Sequence, residues 1–141
     1  MKNLCKNCQN DINRAGKIYC NNQCQADYIF KTYIENWKQG LESGSRGKSA
    51  INLSAHVIRY IHQKYNQCCS ICGWNELNTY TNRSPLEIEH IDGNSTNNIE
   101  ENLILLCPNC HSLTKTYKNL NRGHGRLWRR EKYVKIGDVP L

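Results

Sequence analysis

The chain has 141 residues, enough for one modest domain or two very small ones. It is only 38% hydrophobic, with one Phe and one Met, which excludes a large apolar core. A small fold of this composition is expected to need cross-links such as disulfides or bound metal. The N-terminus does not resemble a secretory leader, and no apolar run is long enough to cross a bilayer. We therefore expect a cytoplasmic protein, and in a reducing compartment its clustered cysteines are interpreted as metal ligands rather than disulfides.

The formal charge of +7 is weak evidence for a polyanionic partner. If eight thiolates bind two Zn²⁺, the net charge falls to about +3. The distribution of charge is more informative, because residues 115–135 hold eight Lys or Arg residues against one acid, Glu131. This pattern is typical of phosphate contact, although a solvated basic tail has the same composition. The residues expected to bind nucleic acid are Lys115, Lys118, Arg122, Arg126, Arg129 and Arg130.

The first four cysteines have the spacing of a four-thiolate zinc site. Two close pairs are separated by a polar, Asn-rich loop, and their members are Cys5, Cys8, Cys20 and Cys24. Apolar residues recur at helical spacing between Gln25 and Lys38, so we expect a helix that packs on this zinc module. The Gly- and Ser-rich segment 40–49 is interpreted as a flexible linker or loop.

A second helix is predicted after this segment. Ser54 is a candidate N-cap, and the apolar or aromatic residues that follow share one helical stripe: Val57, Ile58, Ile61 and Tyr65.

Five cysteines remain, and the spacing of four of them indicates a second zinc site. Cys69 and Cys72 form one pair, and Cys107 and Cys110 form the other. Cys68 has the wrong spacing to Cys72 and is interpreted as the spare ninth cysteine. Four thiolates leave no open coordination position, so this zinc is expected to be structural.

The segment between these pairs predicts two strands and a helix. Residues 86–91 alternate in polarity, which predicts a strand whose apolar face also carries His90. Residues 92–94 (Asp-Gly-Asn) predict a turn. The apolar run 103–106 predicts a second strand, and a helix is expected over about residues 109–117.

Three motifs follow one another in this region. They are Cys-Ser-Ile-Cys-Gly at 69–73, Glu-His-Ile-Asp-Gly-Asn at 89–94, and Asn-Asn-Ile-Glu-Glu-Asn-Leu-Ile-Leu-Leu-Cys-Pro-Asn-Cys-His-Ser-Leu-Thr at 97–114. Together, residues 69–117 resemble the HNH endonuclease family. The resemblance implies an α+β fold, with a zinc-stapled ββα-metal core preceded by an N-terminal zinc-ribbon-like module and helices. The expected segments are 1–45 for the zinc module with its helix, 46–67 for a connecting loop and helix, 68–120 for the nuclease core, and 121–141 for a basic tail.

The resemblance also implies catalytic roles. His90 matches the general base that takes a proton from the attacking water, a task that suits an imidazole near neutral pH. Asn102 matches the middle Asn, which orients the base by hydrogen bonding. His111 matches a ligand of the catalytic cation. Glu89 stands where many members carry a metal-binding Asp, a departure that leaves the coordination geometry open.

These roles imply a metal-dependent endonuclease that hydrolyses double-stranded DNA. The expected cofactors are two structural Zn²⁺ and a catalytic Mg²⁺ or other divalent cation, and the expected products carry 5′-phosphate and 3′-hydroxyl ends. Phage and mobile-element members suggest a phage or homing-type nuclease. The alternatives are a non-catalytic zinc-finger DNA-binding protein and an RNA binder or RNA nuclease. A pure binder does not need the set Glu89, His90, Asn102 and His111.

Overall fold

The computed structural model describes residues 3–47 and 52–121. The chain divides into two compact units, Met1–Glu42 and Ser43–Leu141, and the boundary falls within the segment 40–49. None of the helices in the described ranges combines the length and the apolar character needed to span a membrane.

The first unit is a cysteine-rich loop followed by one long helix, α1 (Asn22–Lys38). The side chain of Asn21 caps the helix by accepting a hydrogen bond from the backbone N–H of Cys24 at 2.8 Å. The helix therefore begins inside the cysteine set, earlier than the sequence pattern predicts, and Cys24 lies in its first turn.

Aromatic contacts pack α1 against the cysteine-rich loop, as the sequence predicts. The rings of Tyr19 and Tyr28 lie 5.6 Å apart, and the Lys6 ammonium lies 4.7 Å from the centre of the Tyr28 ring. Further along the helix, Ile34 and Trp37 are buried.

The second unit begins with a paired segment. Ser45 forms an antiparallel bridge with Leu53, the N–H of Arg46 donates to the carbonyl of Asn52, and the N–H of Ser54 donates to the carbonyl of Gly44. Of the two interpretations of 40–49, a flexible linker or a loop, residues 44–46 fit the loop, because backbone hydrogen bonds tie them to the segment that leads into the next helix.

Helix α2 (Ala55–Lys64) forms where the sequence predicts it. The Ser54 hydroxyl accepts from the N–H of Val57 at 3.1 Å, and Val57 and Ile61 are fully buried. Tyr60 donates to a Glu100 carboxylate oxygen at 2.6 Å, and Lys64 lies 3.0 Å from the same oxygen. The helix therefore packs onto the rest of the unit.

The centre of the second unit is an antiparallel hairpin of β1 (Glu87–His90) and β2 (Leu103–Leu106). Glu87 lies opposite Leu106, and His90 lies opposite Leu103. The first, third and fourth residues of β2 are almost completely buried. Helix α3 (Pro108–Ser112) follows directly, which confirms the predicted order of strand, loop, strand and helix.

Helix α3 is shorter than the expected 109–117. It ends at Ser112, where the hydroxyl donates to the carbonyl of Asn109 at 2.7 Å. Thr114 likewise donates its hydroxyl to the carbonyl of His111 at 3.0 Å. Side chains that bind nearby backbone carbonyls compete with helix continuation.

The turn after β1 requires a glycine. Gly93 has a φ of +72°, and a Cβ there would lie 2.2 Å from Oδ1 of Asn121 and 2.8 Å from Cγ2 of Thr116. Asn121, in the 3-10 segment Lys118–Asn121, donates its amide to the carbonyl of Gly93 at 2.8 Å. The turn and the 3-10 segment therefore fix each other.

We predict that Gly93→Ala destabilises the protein more than Gly73→Ala does. Gly73 is the matched control, because its φ is +75° but nothing lies within 4 Å of a Cβ there. The positive φ costs each variant about 1–2 kcal/mol, and the crowding at Gly93 adds about 1–3 kcal/mol. Urea unfolding of the zinc-loaded chain measures the difference, and equal losses in the two variants would contradict the close contact.

Candidate active site and metal centres

Two clusters of four cysteines have the geometry of zinc sites. The first is Cys5, Cys8, Cys20 and Cys24, the second is Cys69, Cys72, Cys107 and Cys110, and within each the sulfurs all lie within 4.8 Å of one another. Sulfurs around a tetrahedral zinc are about 3.8 Å apart. The distances between Cys8 and Cys20 and between Cys72 and Cys107 are both 3.7 Å. The donor sets therefore fit zinc, and all nine cysteines are free thiols.

Cys69, rather than Cys68, joins the second cluster. Cys69 is 3% exposed, whereas the Cys68 thiol donates to the carbonyl of Asn66 at 3.2 Å. The structure thus agrees with the choice made from spacing.

The thiols of the second cluster oppose one another's ionisation. Burial raises the pKa of the Cys69 thiol, but backbone N–H groups of Cys72, Cys107 and Ile71 outweigh this effect and lower the pKa to about 6. The adjacent Cys72 thiol, together with burial, raises the pKa of Cys110 to about 12. The cluster therefore needs a cation to hold four thiolates, and metal binding will release protons.

The second cluster connects the elements of the hairpin unit. Ser70, between its first two cysteines, donates both its N–H and its hydroxyl to the carbonyl of Leu105, each at 2.9 Å. Cys107 follows β2 directly and caps α3, where its sulfur accepts from the N–H of Cys110 at 3.4 Å. A metal bound here would fix the 69–72 turn to the end of β2 and to the first turn of α3.

We predict that Cys69→Ser reduces the zinc content by one ion per chain and unfolds the hairpin unit. The reason is that metal-binding free energy is folding free energy at such sites. Cys68→Ser is the adjacent control, and we expect it to keep the full zinc content and a native circular dichroism spectrum. A zinc content that falls with Cys68→Ser and not with Cys69→Ser would reverse the assignment.

One face of the hairpin brings Glu89 and His111 together, as the resemblance implies. Nε2 of His111 lies 2.8 Å from Oε2 of Glu89, whose other oxygen accepts from the Thr116 hydroxyl at 2.7 Å. The Tyr117 ring meets the His111 ring edge-on, with centroids 5.3 Å apart. The Glu89 side chain is only 15% exposed, so the pair is sheltered from water.

Sequence reasoning missed Glu87, which contacts the other nitrogen of the same imidazole. Its Oε2 lies 2.5 Å from Nδ1 of His111. The signal was present in the alternation of β1, because residues two apart in a strand share a face. A carboxylate on Nδ1 orients the ring and would hold the proton there when Nε2 binds a cation.

The Glu89–His111 pair can hold a divalent cation. Neighbouring ligands of an octahedral ion at about 2.0–2.1 Å are about 3 Å apart, close to the observed 2.8 Å. A carboxylate oxygen and an imidazole nitrogen also leave coordination positions for water and for a phosphate oxygen. The donors therefore fit the role that the resemblance implies.

His90 contacts a different set of residues. Its Nε2 lies 2.8 Å from Oδ1 of Asn98, and Nδ2 of Asn98 donates to the Ser45 hydroxyl at 3.0 Å. His90 also lines a cavity of about 590 Å³, together with Arg46 and Ser95. Asn98, which is 4% exposed, is a site residue that the sequence did not reveal, because its polar loop has no periodic pattern.

Asn102 does not make the contact that the resemblance implies. Its Oδ1 accepts from the N–H of Asp92 at 3.0 Å, and its Nδ2 donates to Oδ1 of Asp92 at 2.8 Å and to the carbonyl of Asn97 at 2.7 Å. The hydrogen bond to His90 is made by Asn98 instead. Asn102 therefore fixes the loop that carries Asn98, and any effect on His90 is indirect.

Of the residues expected to bind nucleic acid, Lys115 and Lys118 lie within the described ranges, and both are exposed. The Lys118 ammonium lies 4.8 Å from the centre of the Tyr117 ring. Arg122, Arg126, Arg129 and Arg130 lie outside the described residues.

Four cysteines join a hairpin to a short helix, a carboxylate on the first strand pairs with an imidazole on the helix, and a second histidine follows the carboxylate directly. This is the arrangement of a ββα-metal nuclease domain. Residues 69–116 match the family model described as HNH endonuclease. This region therefore belongs to the HNH endonuclease family, which confirms the resemblance.

Of two curated relatives, one is itself named an H-N-H endonuclease. The chain is 50% identical over 56 residues to the H-N-H endonuclease F-TflIV of Escherichia phage T5, and the aligned region covers 39% of this chain and 23% of the relative. It is 29% identical over 79 residues to the Zorya protein ZorE of an Escherichia coli strain, which covers 56% of this chain and 16% of the relative. The chain thus spans less than a quarter of either relative. No solved structure shows significant similarity to it.

Proposed function

We propose that the protein is a metal-dependent HNH endonuclease that hydrolyses phosphodiester bonds of double-stranded DNA. The observation that carries the proposal is the end of β1, where Glu89, paired with His111, is followed at once by His90. Successive residues of a strand project to opposite faces. The strand therefore presents a cation-binding pair on one side and a candidate base on the other.

These residues meet two requirements of in-line displacement at phosphorus, namely a base for the attacking water and a cation site beside the phosphate. His90 accepts the proton of the attacking water. Glu89 and His111 hold the divalent cation, Mg²⁺ or another, and Glu87 holds the His111 ring in place. When bound, such a cation stabilises negative charge on the phosphate and on the departing oxygen. Departure of the 3′ oxygen leaves 5′-phosphate and 3′-hydroxyl ends.

Charge and relatives support DNA as the substrate. Exposed Lys115 and Lys118 follow α3, which carries His111. Phosphate contacts by such residues position a nucleic acid without reading its sequence. The phage T5 relative is named an H-N-H endonuclease, which favours a phage or homing-type role. We assign DNA affinity or site choice to the first zinc module. An intracellular, reducing location accords with cysteines that bind zinc as thiolates.

A non-catalytic zinc-finger DNA-binding protein is the second candidate, favoured by the two cysteine clusters alone. Such a protein has no need of a sheltered Glu89–His111 pair beside His90, so the nuclease is the better explanation.

Plasmid cleavage tests the proposal. We expect supercoiled DNA to be nicked or linearised with Mg²⁺ or Mn²⁺ and to stay intact in EDTA. His90→Ala should lower the cleavage rate by about 10²–10⁴-fold, because it removes the general base, while zinc content and DNA affinity stay unchanged. His56→Ala, in the first turn of α2, is the matched histidine control and should cut normally.

Two results would decide against the nuclease. If the wild-type protein binds the plasmid but leaves it intact with every cation, the non-catalytic binder is correct. If His90→Ala cuts at the wild-type rate, the base is another residue.

A further inference from the structure

We infer that Asn98, held by Ser45, is a positioning residue that fixes the neutral tautomer of His90 with its proton on Nε2 and its lone pair on Nδ1. This inference deepens the proposed function and rests on it, because it concerns the residue proposed as the base. It also extends the site beyond residues 69–116, which match the family, since Ser45 lies outside them.

The amide of Asn98 lies between Ser45 and His90. Its Nδ2 donates to the Ser45 hydroxyl at 3.0 Å, and its Oδ1 lies 2.8 Å from Nε2 of His90. An amide oxygen can only accept, and a neutral imidazole has one donor and one acceptor nitrogen. With the amide in this orientation, Nε2 carries the proton, and the lone pair of Nδ1 is available to act as a base.

Ser45 is fixed by its own backbone. It forms an antiparallel bridge with Leu53. On either side of it, the carbonyl of Gly44 accepts from the N–H of Ser54, and the N–H of Arg46 donates to the carbonyl of Asn52. The contact from Ser45 to Asn98 spans 53 residues of sequence. A segment that precedes α2 thus reaches into the catalytic hairpin.

The loop on the other side of Asn98 is fixed as well. The side-chain amide of Asn102 donates to the carbonyl of Asn97, the residue before Asn98. The same amide also donates to the carboxylate of Asp92, just beyond β1. Because Asn98 is 4% exposed, water competes little for its amide. The imidazole therefore meets a rigid acceptor.

Correct tautomer and ring orientation matter because a base must present a lone pair to the water that it deprotonates. An imidazole free to rotate or to exchange tautomers spends part of its time with an N–H in that place. Residues that orient a metal-ligating histidine in this way typically contribute 10- to 100-fold, and we expect a contribution of the same order for His90.

NMR of the histidine rings tests the inference without any cleavage. The full-length, zinc-loaded, ¹⁵N-labelled chain is measured without added Mg²⁺ at about pH 8.5, where an ordinary imidazole is neutral. Long-range ¹H–¹⁵N spectra report the tautomer, and peaks lost in His90→Gln assign His90. We expect the Nε2–H pattern and a directly visible Nε2 proton, because its hydrogen bond slows exchange with water.

The variants separate Asn98 from general loop effects. Asn98→Ala should abolish the visible Nε2 proton, Ser45→Ala should broaden it, and Asn98→Asp should keep it because an oxygen acceptor remains. Thr96→Ala is the control, since it removes a hydrogen bond within the same loop, from Thr96 to Asn94, without contacting the imidazole. An Nδ1–H pattern in the wild type, or an unchanged Nε2 proton in Asn98→Ala, would overturn the inference.

Kinetics separate a failure of this inference from a failure of the proposed function. We expect Asn98→Ala to lower kcat about 10- to 100-fold with KM within about twofold, and Thr96→Ala to change neither. If the wild type does not cleave DNA but shows the Nε2 proton, which Asn98→Ala abolishes, the positioning stands and the nuclease proposal fails. If the wild type cleaves and Asn98→Ala has the same kcat, the nuclease stands and the positioning fails.

Discussion

The geometry of the candidate active site depends on the second cluster of four cysteines. A two-stranded hairpin is only marginally stable by itself, and this one is followed by a helix of five residues, α3. Cys107 stands at the junction of β2 and α3, and its partners at Cys69 and Cys72 lie on the turn that binds β2 through Ser70. His111 is four residues beyond Cys107, so the cluster sets the distance between His111 and Glu89.

A second constraint acts on the opposite face of β1. The Asn102 amide joins the end of β1 to the loop that carries Asn98, and Asn98 contacts His90. One short strand can therefore support two different environments, with a sheltered carboxylate–imidazole pair on one side and a histidine beside a cavity on the other. Because side chains alternate along a strand with a period of two residues, the neighbouring residues Glu89 and His90 can face different environments.

The features that the sequence predicts are those encoded by local spacing. The cysteine pairs, the alternation through Glu89 and His90, and the Ser54 cap all concern residues close in sequence, and the structure agrees with them. The contacts that it could not predict join distant segments, as from Ser45 to Asn98 over 53 residues. The early end of α3 has a local cause, unlike these long-range contacts. The hydroxyls of Ser112 and Thr114 bind nearby backbone carbonyls, which competes with continuation of the helix.

The central claim is that the cysteine clusters hold the fold whereas hydrolysis takes place at Glu89, His90 and His111. The most direct measurement determines zinc content and plasmid cleavage in the same desalted sample, before and after Mg²⁺ is added. The account predicts two zinc ions per chain throughout, no cleavage before addition, and cleavage afterwards. Full cleavage without Mg²⁺, falling in proportion as zinc is removed, would place the chemistry at a cysteine-bound zinc and contradict the account.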